Sequence, residues 1–206
     1  MMFAVAHQLP RIRAVLFVLA LLPVVWLIWG FSQHQLGANP FEVLTRETGL
    51  WTLRLLLLTL LVRPLAEHLR QTSLLRLRRM LGLFSFFYAC LHMLTYLWFD
   101  QFFDWQEIGT DILKRPYITL GMLAFLFLVP LALTSTRNMR RRLGRRWQTL
   151  HRLIYVIGVL GVVHFLLLVK ADLREPLIYA TLLAGLLAWR WFAARRRNPR
   201  TALAGG

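Results

Sequence analysis

Residues 149–170 read TLHRLIYVIGVLGVVHFLLLVK, an apolar stretch with His151 near its start and His164 near its end. At about 1.5 Å of rise per residue, a helix of this length crosses the roughly 30 Å hydrocarbon core of a bilayer. Both imidazoles then lie within or beside lipid. An ionisable side chain there costs a few kcal/mol and is retained mainly where a metal, a polar neighbour or a water-filled path meets it. The stretch predicts a membrane span that carries its own ligand groups.

Working outward from it, five further apolar runs can be marked, at 14–31, 48–66, 80–99, 117–135 and 177–193. With 58% hydrophobic residues and a mean hydropathy of +0.55, the 206-residue chain is too apolar for a soluble domain. The expected fold is all-α, a polytopic bundle of six transmembrane helices. Residues 1–13 and 194–206 flank it as a short N-terminal segment and a polar tail. The first run is too long for a signal peptide and has no small-residue cleavage site, so it is expected to be a retained helix. Pro23 predicts a kink or break there. Asn39-Pro40 marks a turn, Thr48 is the expected N-cap of the second span, and Pro64 its expected end.

The net charge of +16 would suggest nucleic acid in a soluble protein. Here the basic residues sit in short loops, which excludes that reading in favour of membrane topology. Arg11 and Arg13, then Arg70, Arg76, Arg78 and Arg79, then six arginines within 137–146, and finally four in the tail all fall on one side. Only Arg46, Lys114, Arg115, Lys170 and Arg174 fall on the other, together with eight of the nine acidic residues. The positive-inside rule places both termini in the cytoplasm. Most of the eight tryptophans lie near span ends, as an aromatic belt would. The single cysteine, Cys90, excludes a disulfide framework, a CxxC metal site and covalent haem attachment through CxxCH.

With the N-terminus inside, the third and fifth spans run parallel. His92 and His164 lie at similar depth on them, in the outer half of the bilayer. Two imidazoles at one level can clamp a flat macrocycle from both faces, filling both axial positions of a haem iron and favouring electron transfer over oxygen binding. His151 lies about 20 Å lower and cannot serve the same iron. Thirteen residues at about 100° each also put His151 and His164 on different faces of an ideal helix, unless Gly158 and Gly161 permit a distortion. The alternative for His92 and His164 is a hydrogen bond between helices, and for His151 an interfacial position.

The words NPFEVLTRETGLW, RRMLGLFSFFYACLHMLTYLWFD, DILKRPYITLGMLAFLFLVPLALTS and RRLGRRWQTLHRLIYVIGVLGVVHFLLLVK resemble the MsrQ (formerly YedZ) family over nearly all of residues 10–195. That family is the haem-binding membrane subunit of a periplasmic methionine sulfoxide reductase system, related to ferric reductase transmembrane domains. The resemblance implies a bacterial inner-membrane location, a b-type haem and a bound FMN. It further implies electrons drawn from the quinone pool or a cytosolic flavin reductase and passed to MsrP, a periplasmic molybdopterin enzyme. It assigns the family's histidines to His92, His151 and His164. In the wider superfamily a second haem takes a histidine fourteen residues before the outer ligand. Here that position is Arg78, so one securely held haem is expected, with His151 serving another cofactor or a weaker site.

The arginine fork suits phosphate and carboxylate. Arg76, Arg78 and Arg79, on the same side as the 137–146 run with Arg146, are candidates for the FMN phosphate or an anionic lipid head group, the alternative being a topology signal alone. Arg54, a turn and a half into the second span, is expected to meet a haem propionate or else to snorkel. The acidic stretch 100–111 is the candidate docking site for a periplasmic partner. The rival functional class is a proton or ion transporter built on intramembrane His and Arg.

Overall fold

The computed structural model describes residues 2–169 and 171–197; the expectation of a disordered tail falls largely on 198–206, outside the described residues. The described chain is helical, with no strand. α1 spans Met2–Ser32, α2 Pro40–His68, α3 Leu77–Thr95, α4 Trp105–Lys114 and α5 Pro116–Leu133. α6 covers Arg137–Leu143, α7 Arg145–Leu150, α8 Leu153–Leu168 and α9 Arg174–Arg197. A 3-10 turn, Thr72–Arg76, leads into α3, and a π-helical turn, Tyr96–Asp100, continues it. Six stretches are long and apolar enough to cross a membrane, including Pro40–His68, Thr72–Asp100 and Arg145–Leu168, as a multi-pass membrane protein requires.

Several helix ends differ from the expected ones. The second span starts eight residues before Thr48, because Asn39 caps it: Asn39 Oδ1 accepts from the Glu42 backbone N–H at 3.3 Å, and Pro40 takes the first helical position. Thr48 is buried in mid-helix and its hydroxyl donates to Leu44 O at 2.7 Å, the usual recourse of a threonine in apolar surroundings. Pro64 does not end α2, which continues to His68. The sixth span likewise runs past 193 to Arg197.

The helix at the centre of the packing is α2. Half of its apolar window is buried, against 22% or less for each other span. One face, with Leu53, Leu56, Leu57 and Leu60, packs on α5, α8 and α9 through Leu128, Ile157, Val162 and Leu183. The other, with Leu55, Val62 and Ala66, packs on α1 and α3 through Ala20, Leu77, Leu81 and Tyr88. A helix apolar all round is stable only when covered on more than one side, by protein or by lipid. α3 approaches α2 closely enough for Ser85, fully buried, to donate to Thr52 O at 2.9 Å. Gly158 performs the same service between α8 and α9, where a Cβ would stand 3.2 Å from Leu183.

α1 does not break at Pro23. Instead the fully buried Tyr88 hydroxyl of α3 inserts there, donating to Ala20 O at 2.8 Å and accepting from the Val24 N–H at 3.1 Å. A proline disturbs the hydrogen-bond ladder around it, and the inserted hydroxyl satisfies the loosened groups. Tyr88→Phe removes both bonds without changing the packing, and is expected to cost about 1–2 kcal/mol, seen as a lower unfolding midpoint in a fixed detergent. An unchanged midpoint would show that α1 closes its own ladder.

Candidate functional site

His92 in the last turn of α3 and His164 in α8 face each other across the bundle, ring centroids 6.2 Å apart and ring planes at 75°. His92 Nδ1 lies 2.8 Å from Thr45 O on α2, and His164 Nδ1 lies 2.6 Å from Tyr117 O on α5. A carbonyl only accepts, so each Nδ1 carries the proton and each Nε2 holds a free lone pair. Fixing the ligating tautomer through the far ring nitrogen is how metal-bound histidines are commonly held. Two metal–imidazole bonds of about 2.0 Å each, together with the distance from each nitrogen to its ring centre, span about 6 Å. The spacing would accommodate one metal ion between the two imidazoles. Among the described residues no group of three or more His, Cys, Asp or Glu side chains is placed to hold a metal ion by protein ligands alone.

His151 is arranged differently. The helix breaks at it, between α7 and α8, and not at Gly158 or Gly161. The Thr134 hydroxyl donates to Pro130 O at 2.6 Å and so accepts from His151 Nε2, 3.1 Å away. Trp147, expected only in an aromatic belt, stacks on the imidazole at 4.0 Å and donates its indole N–H to Thr134 O at 3.0 Å. The nitrogen His151 keeps free is therefore Nδ1, the opposite of the other two histidines.

The arginines divide in the same way. Arg78 is half-buried, and its Nε has no hydrogen-bond partner. With Arg63, Glu67, Arg70, Thr72 and Leu75 it lines a cavity of about 730 Å³ at the His151 end of the bundle. Arg76, Arg79 and Arg146 are exposed and do not line it. Arg63 and Arg70, which do, were not among the candidate residues read from the sequence. Arg54 sits at the opposite end, where Glu47 (3.6 Å), Glu175 (3.8 Å) and the Tyr179 hydroxyl (2.9 Å) surround it. Its charge is met by protein carboxylates, and it ties α2 to α9.

Beyond His92 the chain makes a polar corner. Asp111 of α4, with a side chain 3% exposed, accepts from Gln101 Nε2 at 2.7 Å and pairs with Arg115 Nε at 3.1 Å. Tyr96 Oη, at 3.4 Å, completes the set. The carboxylate pushes the Arg115 pKa further up. Thr119 closes the same corner by donating to Ile112 O. These contacts fix the start of α5, and with it the Tyr117 carbonyl that holds His164.

The described residues form a multi-pass membrane bundle with two facing histidines at one level, and a family profile described as "Ferric reductase like transmembrane component" matches residues 48–162. The match takes in His92 and His151 and stops just short of His164. The chain is 52% identical over 202 residues to the "Protein-methionine-sulfoxide reductase heme-binding subunit MsrQ" of Herminiimonas arsenicoxydans, covering 96% of this chain and 93% of that one. It is 56% identical to the proteins of the same name from Azospira oryzae, over 93% of this chain and 83% of that one, and from Rhodospirillum rubrum, over 90% of both. The chain belongs to the MsrQ family. No solved structure matches it.

Proposed function

We propose that this chain is the haem-binding, electron-transferring membrane subunit of a protein-methionine-sulfoxide reductase system. The observation that carries the reading is the His92–His164 pair, 6.2 Å apart with both Nδ1 atoms already bonded to backbone carbonyls. The relatives' name, heme-binding subunit, agrees with it. A b-type haem there would supply one-electron carrier chemistry. His92 of α3 and His164 of α8 would hold it, their rings oriented by the Thr45 and Tyr117 carbonyls. His151, with its Nε2 engaged and Arg78 where the superfamily has a histidine, is not part of a second such pair.

The reading extends to topology and partners. The arginine-rich end faces the cytoplasm of a bacterial cell, both termini included, and the membrane is the inner one. The acidic residues at the His92 end then face the periplasm, where 100–111 meets an MsrP-type molybdopterin reductase that repairs oxidised methionines. At the cytoplasmic end the cavity of Arg63, Arg70 and Arg78 suits the phosphate of FMN, with electrons entering from quinol or a flavin reductase.

The test is spectroscopic. Purified protein from haem-replete cells is expected to be red, to give a b-type reduced-minus-oxidised spectrum, and to be reoxidised when the periplasmic reductase and methionine sulfoxide are added together. Colourless protein would contradict the proposal and favour a transporter built on the same intramembrane His and Arg residues.

A further inference from the structure

We infer that Gly49 and Gly121 are positioning residues, two matched backbone seats that set the planes of the His92 and His164 imidazoles. Each glycine lies four residues, about one helical turn, after the carbonyl that takes the proton of its histidine: Thr45 then Gly49 on α2, Tyr117 then Gly121 on α5. The separation from carbonyl to histidine is 47 residues in both cases. One unit, a carbonyl, a glycine a turn later and a histidine on the next span of the pair, thus occurs twice, once in α2–α3 and once in α5–α8. The two copies face each other across the site.

Each ring lies against the bare backbone of its glycine. A Cβ on Gly121 would stand 2.9 Å from both Cε1 and Nδ1 of His164 and 3.4 Å from Cγ. On Gly49 it would stand 3.0 Å from Cε1, 3.1 Å from Nδ1 and 3.5 Å from Nε2 of His92. Neither ring is the free end of a flexible chain, because each is pinned by its Nδ1 hydrogen bond. An added methyl group must therefore lift or turn the imidazole and lengthen that bond. The crowding against a histidine ring is not shared by a nearby glycine of the same helix. At Gly161, one turn before His164 on the same helix, a Cβ meets only Leu53 at 3.7 Å, an ordinary contact. The seats explain how ring planes at 75° are maintained: each plane follows the backbone of a different helix.

The inference rests on the reading of His92 and His164 as the axial pair. Its test compares Gly121→Ala, Gly49→Ala and Gly161→Ala with wild type, by low-spin ferric EPR and by haem retained against apomyoglobin. Gly121→Ala is expected to change the EPR g values and to weaken haem retention about tenfold or more, the range found for groups that orient metal ligands. Gly49→Ala should shift the g values in the same experiment with a smaller loss, and Gly161→Ala should leave both readouts at wild type. If Gly121→Ala does not accumulate in the membrane, Gly49→Ala decides. Unchanged g values in Gly49→Ala and Gly121→Ala, or equal changes in all three variants, would overturn the inference. Wild-type protein without haem would instead overturn the axial-pair reading itself.

Discussion

His164→Ala is expected to abolish the b-type spectrum, and His92→Ala to do the same. On the proposed reading the two rings would hold one haem iron between them, so removing either would leave a single protein ligand in an apolar interior. Cys90, the nearest alternative in sequence to His92, is a lone thiol on the same helix and cannot replace a ligand on the opposite side. His151→Ala is expected to keep the spectrum, because its Nε2 is committed to Thr134 and its ring to Trp147. Absorption spectra of the three variants, normalised to chain concentration, check all three outcomes. Retention of the spectrum in either His92→Ala or His164→Ala would mean that the facing pair is an interhelical contact only.

Asp111→Ala is expected to have the second largest effect, on stability and on the site together. The substitution strips the buried Gln101 amide of the acceptor it donates to and leaves Arg115 without its carboxylate. Gln101 Oε1 is already without a hydrogen-bond partner, so the buried side-chain amide would lose its bond to the carboxylate as well. The exposed Arg115 contributes little, and the cost comes mainly from the buried hydrogen bond that Gln101 gives to the carboxylate, about 1.5–3 kcal/mol for a bond to a charged group. The loss should appear as a reduced unfolding midpoint and as protease cleavage within 100–115, the segment the carboxylate fastens. Since the same corner positions Tyr117, the haem spectrum should broaden or shift as well. Asp111→Asn keeps an acceptor and should recover part of the stability. An Asp111→Ala protein with wild-type protease resistance and midpoint would show that α4 is held by its apolar face alone.

The six spans and the shared depth of His92 and His164 were legible in the sequence because both follow from hydropathy and helical rise, which the bilayer imposes on any chain. The central place of α2 was not. It is no more apolar than the third and sixth spans, yet it is the most buried, because it packs against protein on two faces while the other spans present more of theirs to lipid. The carbonyls of Thr45 and Tyr117 carry no residue signature, since any amino acid supplies one. The repeated spacing, a glycine four residues after each carbonyl and a histidine 47 residues after it, was present but has no meaning until the helices are paired. Arg78 was legible as a departure from the two-histidine pattern. Its cavity partners Arg63 and Arg70 were not, because charge runs pointed instead to Arg76, Arg79 and Arg146, which face outward.

The central claim is that one pair of imidazoles, between α3 and α8, holds the only haem. Haem extracted and quantified per chain, in wild type and in His151→Ala, tests it most directly. One haem per chain in both proteins is the result predicted here. Two in wild type, falling to one in His151→Ala, would contradict it.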